Sequence, residues 1–295
     1  MEIEDATVSA TTPREIMRRR AMGHIGFLIG AGCVLLMVLL AIFAAYLTPY
    51  DPFEQNLEGR LINPFWGTGG SWTHPLGTDS LGRDYLTRIL YGARISLTIG
   101  FGAALISGVI GSTLGILGGY FGGRVDAVVM YVINVKLALP GILIALSLVS
   151  IIGGSLLALV CILGFLFWDR FAVVTRSVTQ QIRGNDFVTA AAAVGASQTR
   201  IIFGEVLPNL TNQIIVVASL EMAIAILVEA VLSFLGLGIQ PPTPSWGLLV
   251  SEGRNFMFFK PFLITLPGLA IFFLVVAINL MGDGIRDITA PEGRN

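Results

Sequence analysis

Charge is scarce in this chain: Asp, Glu, Lys and Arg make up 13% of its 295 residues, against 54% hydrophobic residues. So few polar side chains cannot cover a soluble globule of that size, and the composition reads as an integral membrane protein. The 18 basic and 19 acidic residues nearly cancel. That leaves no concentrated positive surface to replace counterions, which excludes a nucleic-acid partner. Histidine is limited to His24 and His74, neither flanked by Cys, Asp or Glu at a metal-ligand spacing. A zinc site or a Ser-His-Asp triad therefore has almost nothing to be built from. The two cysteines, Cys33 and Cys161, lie inside apolar runs, where a thiol reads as a small buried hydrophobe and a disulfide framework is not expected. Lysine occurs only as Lys136 and Lys260, after Val135 and Phe259. There is no Gly-Lys-Ser/Thr, so the chain has no phosphate loop for ATP.

What is plentiful is long apolar sequence. Runs able to cross a bilayer, about 20 residues at about 1.5 Å each, fall at 24–47, 96–121, 127–152, 155–174, 214–236 and 262–282. In hydrocarbon each must be helical, because an unpaired backbone amide there costs several kcal/mol. The reading is an all-α polytopic membrane protein with six transmembrane helices. The first run follows "PREIMRRR"; it is longer than a signal-peptide core and more spans follow, so it reads as an uncleaved first helix. Arg14, Arg18, Arg19 and Arg20 place the tail 1–23 in the cytoplasm. The order is then an extracytoplasmic loop at 48–95, a helical core at 96–283 with a cytoplasmic loop at 186–209 and an outer loop at 237–261, and a cytoplasmic tail at 284–295. Trp66, Trp72, Trp168 and Trp246 fall near the expected interfaces, as an aromatic belt would place them.

Within the second span Gly111, Gly115, Gly119 and Gly123 recur every fourth residue, a face that admits a close helix neighbour. The cytoplasmic loop "DFVTAAAAVGASQTRIIFGEVLPN" reads as two short helices. Asn185 or Asp186 caps the first, Gly195 ends it, Ser197 caps the second, and Pro208 stops it. Ala190 to Ala193 offer a nearly side-chain-free surface to a partner, while Val194, Ile201, Ile202 and Leu207 face apolar neighbours. On these residues alone, a docking element and an ordinary solvated loop weigh equally.

Lys136, Glu221 and Glu229 lie inside predicted spans, where an ionisable group is expensive and faces the bundle interior or water. Lys136 and Glu221 sit at similar depth, and the expectation is that they pair and, with Asn134, line a translocation path. A structural ion pair or a snorkelling lysine is the plainer alternative.

Longer motifs carry a resemblance. "TAAAAVGASQTRIIFGEVLPN" is similar to the EAA loop of permease subunits of bacterial ABC importers, with Ala190, Ala191, Gly195, Leu207 and Pro208 in register. Thr189 stands where that family usually has Glu, and Glu205 where it has an aliphatic residue. "HPLGTDSLGRDYLTRILYGARISL", "GGYFGGRVDAVVMYVINVKLALPGILIAL", "EAVLSFLGLGIQPPTPSWGLLVSEGR" and "NLMGDGIRD" resemble the second permease subunit of dipeptide and oligopeptide importers.

The resemblance implies a type I ABC importer permease fold in a bacterial inner membrane, with both termini cytoplasmic. It implies coupling to an ATPase through Thr189, Ala190, Ala191, Gly195, Ala196, Ser197, Arg200, Leu207 and Pro208. It also implies a second homologous permease subunit, two ATP-binding subunits and an extracytoplasmic substrate-binding protein, which outer loops such as 237–261 would dock. The chain itself would hold no cofactor, ATP and Mg being used by the partner subunits. Peptides are the implied cargo; nickel chelates, opines and oligosaccharides are alternatives within the wider family. The competing class, an ion-coupled secondary transporter using Glu221 and Glu229, should show internal repeats with interrupted helices, and no convincing self-similarity joins the two halves. An intramembrane enzyme lacks the histidine, metal-ligand and nucleophile sets.

Overall fold

A computed structural model describes residues 13–289, and among them every named element is helical. Helix α1 (Pro13–Gly23) leads into α2 (Ile25–Ile42), which is capped by His24: its Nδ1 accepts the Phe27 N–H at 3.0 Å. Helix α2 turns most of its apolar surface outward and buries only Gly30 and Ala41. It lies on α13 (Phe262–Thr289), the last helix. A Cβ at Gly30 would come within 2.6 Å of the Met281 nitrogen, so glycine is what permits that approach. His24 Nε2 lies 3.1 Å from Asp287 beside the same contact, which brings the two ends of the described chain to one side.

After α3 (Ala44–Leu47) a long loop with one 3₁₀ turn, Leu57–Gly59, runs to Asp84 and is held by buried charges. Asp79 accepts the Arg83 Nε at 2.6 Å and the Arg88 Nη1 at 2.7 Å, and Arg88 Nη1 also reaches Glu252 at 2.5 Å. Asp84 caps α4 (Tyr85–Phe121) by accepting the Thr87 N–H at 2.8 Å. The helix therefore starts at Tyr85 and not at the predicted 96. Its first turns carry Thr87, Arg88 and Arg94, which depress hydropathy while their other faces are buried.

Helix α4 packs most extensively on α8 (Trp168–Arg183). A Cβ at Gly115 would meet the Ala172 carbonyl oxygen at 2.5 Å, and one at Gly119 the Arg176 carbonyl oxygen at 2.7 Å; Gly111 approaches the Trp168 carbonyl in the same way. Gly123 does not belong to this face: it opens the next helix at φ +51°.

The predicted span 127–152 is broken. Helices α5 (Gly123–Leu137) and α6 (Gly141–Ile152) meet at 79°. Pro140 has no N–H to continue the ladder and pushes Leu139 out of helical backbone, so the run bends there. With the bent pair taken as one span, the chain crosses the membrane with six helical spans. Helix α7 (Leu156–Leu166) runs almost directly into α8, giving a 28-residue span. The loop 186–209 follows, as α9 (Asp186–Ala193) and α10 (Gln198–Ile201), and then α11 (Leu207–Phe234), α12 (Trp246–Gly253) and α13.

Two side-chain expectations are corrected by packing. Trp246 and Trp168 are core residues, not interface anchors; Trp246 donates its indole N–H to the Ile89 carbonyl at 2.8 Å. Cys33 and Cys161 are exposed on the outer surface of the bundle rather than buried.

Candidate coupling surface and translocation face

The loop 186–209 is built on buried aliphatic pegs. Val188, Ile201, Val206 and Leu210 are buried with Ile116 of α4 and Ile182 of α8, so the loop is fixed to the ends of two long helices. Asn185 occupies the cap position of α9, but its side chain makes no capping bond; its carbonyl instead accepts the Thr189 hydroxyl at 3.1 Å. Helix α9 closes with the Ala196 N–H on the Ala191 carbonyl (3.1 Å) and the Gly195 N–H on the Ala192 carbonyl (3.0 Å). This paired closure needs left-handed backbone, which Gly195 supplies at φ +83°. Ser197 then caps α10 by accepting the Arg200 N–H at 3.3 Å.

Pro208 does not stop the second helix. A five-residue π turn, Ile202–Val206, opens the hydrogen-bond ladder just ahead of it, and Pro208 sits in the first turn of α11, where its missing N–H has no helical partner to lose. The run Gln198–Phe234 is therefore continuous over 37 residues.

With the pegs inward, an apolar surface is left outward. Val194 is 85% exposed, next to exposed Ala190, Ala192, Ala193 and Gly195, whereas Phe203, also exposed, lines an apolar groove with Leu117 and Phe121 of α4. Val194 was expected to face apolar neighbours within the chain; it projects instead from the end of α9, where the glycine turn carries the chain away. Ala191, Ala196 and Leu207 are half-buried against the pegs, whereas Thr189, Ser197, Arg200 and Pro208 are exposed.

The intramembrane charges pair differently from the expectation. Lys136 Nζ bonds to Asp169 of α8, not to Glu221. Glu221 Oε1 lies 3.3 Å from Arg170 Nη1. The reason is geometric: Asp169 and Arg170 are consecutive on α8, which lies between α5 and α11 and offers each a partner of opposite sign. All four nevertheless form one cluster, since Arg170, Asp169 and Lys136 each act electrostatically on Glu221. Arg170 is at the middle of the span Leu156–Arg183, and Glu221 at the middle of α11. Lys136 is about 20 Å beyond the start of α5 at about 1.5 Å per residue. Nearer the loop 186–209, Arg176 of α8 clamps Asp126 of α5, with Nη2 and Oδ2 2.6 Å apart.

Helix α8 has two faces. Asp169, Phe171, Ala172, Thr175, Thr179 and Ile182 are buried, whereas Arg170, Val173, Ser177 and Gln180 form an exposed stripe at helical spacing. A largely polar stripe descending from mid-membrane must meet water or protein, not lipid. Asn134 is exposed on α5 and Lys136 is partly so. Glu229 is elsewhere. Fully buried, its Oε1 accepts the hydroxyls of Ser233 (2.7 Å) and Ser245 (2.8 Å), tying α11 to the outer loop before α12. Asp126, Asp169, Arg170 and Arg176 escaped the sequence reading. Asp169 and Arg170 carried a usable signal, since both are ionisable residues inside the predicted span 155–174.

Comparison with known proteins places this architecture. Residues 111–294 match the family described as binding-protein-dependent transport system inner membrane component, and residues 12–64 match the N-terminal TM domain of oligopeptide transport permease C. The chain belongs to this family of inner-membrane transport permeases. It is 40% identical to the dipeptide transport system permease protein DppC of Haemophilus influenzae, covering 90% of each chain. It is 41% identical to the di/tripeptide transport system permease protein DppC of Pseudomonas aeruginosa, over 92% of this chain and 89% of that one. The glutathione transport system permease protein GsiD of Pectobacterium atrosepticum is 40% identical, over 96% and 93%. The fold is that of a type I ABC importer permease: the inward-facing MetNI methionine ABC transporter superimposes with a TM-score of 0.57, at 18% identity, over 68% of this chain and 96% of that chain.

Proposed function

We propose that this chain is one half of the membrane pathway of an ATP-driven, binding-protein-dependent importer of di- or oligopeptides. A second, homologous permease supplies the other half, two ATP-binding subunits seat against the loop 186–209, and an extracytoplasmic binding protein delivers cargo to the outer loops. The observation that carries the coupling role is the surface of Val194 and the exposed alanines of α9. It is apolar, outward-facing and fixed by Val188, Ile201 and Val206 to helices that reach the middle of the membrane. A push on such a surface moves α8 and α11 as rigid levers, because the pegs leave the loop no independent motion. Alternating access then follows from closure of the ATPases on ATP, and ATP and Mg belong to those subunits. Both termini are cytoplasmic, in keeping with the arginines of the N-terminal tail.

Peptide cargo is supported by relatives of about equal identity, named for dipeptides, di/tripeptides and glutathione. The path is assigned to the stripe of Arg170, Val173, Ser177 and Gln180, with Asn134 and Lys136 beside it. An ion-coupled transporter is disfavoured by the carboxylates: Glu229 is taken up by two serine hydroxyls, and Glu221 is fully buried beside Arg170.

Affinity purification from the native membrane in mild detergent tests the coupling role. The expected result is recovery of a second permease and an ATPase, with the ATPase lost in Val194→Arg, which alters only an exposed side chain. Recovery of the chain alone, or an ATPase retained in full by Val194→Arg, overturns the assignment of the loop.

A further inference from the structure

The four intramembrane charges sum to zero, yet they are not arranged symmetrically. The carboxylates lie behind: the side chains of Asp169 and Glu221 are 7% and 1% exposed. The cations lie in front, with Lys136 20% and Arg170 54% exposed. The exposed side of a neutral cluster is therefore cationic. Lys136 is engaged by Asp169, whereas Arg170 touches Glu221 only at 3.3 Å, outside the roughly 2.7–2.9 Å of a strong charged hydrogen bond. A guanidinium carries five N–H donors in a planar fork that matches a carboxylate in two-point fashion. Most of that fork has no partner among the described residues. It stands inside the apolar stretch of its span, toward one end, where an arginine turned to lipid is costly.

We propose that Arg170 is an anchor for the C-terminal carboxylate of a peptide in transit, within the pathway. Glu221 holds the guanidinium in place from behind and offsets its charge, which keeps the grip weak enough to release. The anchor makes the membrane pathway itself selective for a free carboxylate, separately from any selection by the binding protein. This inference rests on the permease reading above.

The test uses the assembled transporter without its binding protein, with Val173→Cys placed on the exposed stripe one turn from Arg170 and with Cys33→Ala and Cys161→Ala removing the native thiols. Labelling of this chain by a cationic, water-borne methanethiosulfonate is followed in the presence of Ala-Ala or its C-terminal amide. The expected result is that Ala-Ala slows labelling and the amide does not. In Arg170→Gln with Glu221→Gln, a pair that leaves no stranded charge, the concentration of Ala-Ala needed rises about tenfold or more. Arg170→Lys, which keeps charge but loses the fork, falls between.

Labelling that neither compound slows, or that both slow equally, overturns the anchor and leaves the permease reading standing. So does loss of the sister permease from the double variant when wild type shows no protection, since Arg170 would then be pairing with that subunit. A Val173→Cys thiol that never reacts in the assembled transporter overturns the anchor together with the path assignment, while the ATPase recovery described above still tests the coupling role independently.

Discussion

At the residue scale the most informative side chains are those whose charge the fold had to accommodate. Lys136 bonds to Asp169, and Asp169 is nearly buried, so deleting the lysine strands a carboxylate on α8. Lys136→Ala should destabilise the purified complex by on the order of 2 kcal/mol, and Asp169→Asn in the same chain should restore part of the loss. Adding Glu221→Ala to Lys136→Ala should come close to summing the two costs, because their coupling is through space only. Thermal unfolding of the wild type, the two single alanine variants and the two double variants measures this. Full recovery with Glu221→Ala and none with Asp169→Asn would reinstate the pairing expected from depth alone. That expectation failed for a definite reason: helix depth is legible from residue counts, but the facing partner is decided by which helix lies between. The bond joins residues 33 apart in sequence, and no periodicity reports a separation of that kind.

At the element scale glycine and proline did the work that sequence reading could see, with two exceptions. The glycine face of α4 was legible from its four-residue spacing, and the structure gives it a partner, the α8 backbone. Gly115→Leu should therefore cost most of the folded yield, because the added side chain meets Thr175 and the Ala172 carbonyl with no room to turn. Gly204→Leu, where nothing lies within 4 Å, should leave the yield unchanged. Size-exclusion profiles of the two variants test the difference, and equal yields would contradict the packing. The exceptions are both prolines. Pro140 bends a run that hydropathy read as one straight span, and Pro208 is carried through by a π turn where a stop was expected. Hydropathy averages over a window, so it registers neither a break at one residue nor a ladder that opens to accept one. The start of α4 was missed in a related way, since Arg88 is completely buried by pairing with Asp79 and Glu252 and so lowers the hydropathy of a segment that is in fact inside.

At the scale of the whole molecule, the proposed coupling surface hangs on the helices that also carry the intramembrane charges. The loop 186–209 is pegged to α4 and α8, α8 carries Asp169 and Arg170, and α11 continues unbroken from the loop to Glu221. Under the coupling proposed above, a push at Val194 would pass through the pegs Val188, Ile201 and Val206 into α8 and α11. The fold class and the two short helices of the loop 186–209 were legible from composition, glycine placement and motif resemblance; the exposed stripe of α8 was not, because it depends on which side of α8 remains open after the helices pack. The most direct measurement is uptake of a labelled dipeptide into proteoliposomes holding this permease, its sister, the two ATPases and the binding protein. Uptake should require ATP, and Val194→Arg should abolish it while leaving the permease pair folded. Uptake that proceeds without ATP on an imposed ion gradient, or that survives Val194→Arg undiminished, would contradict the account.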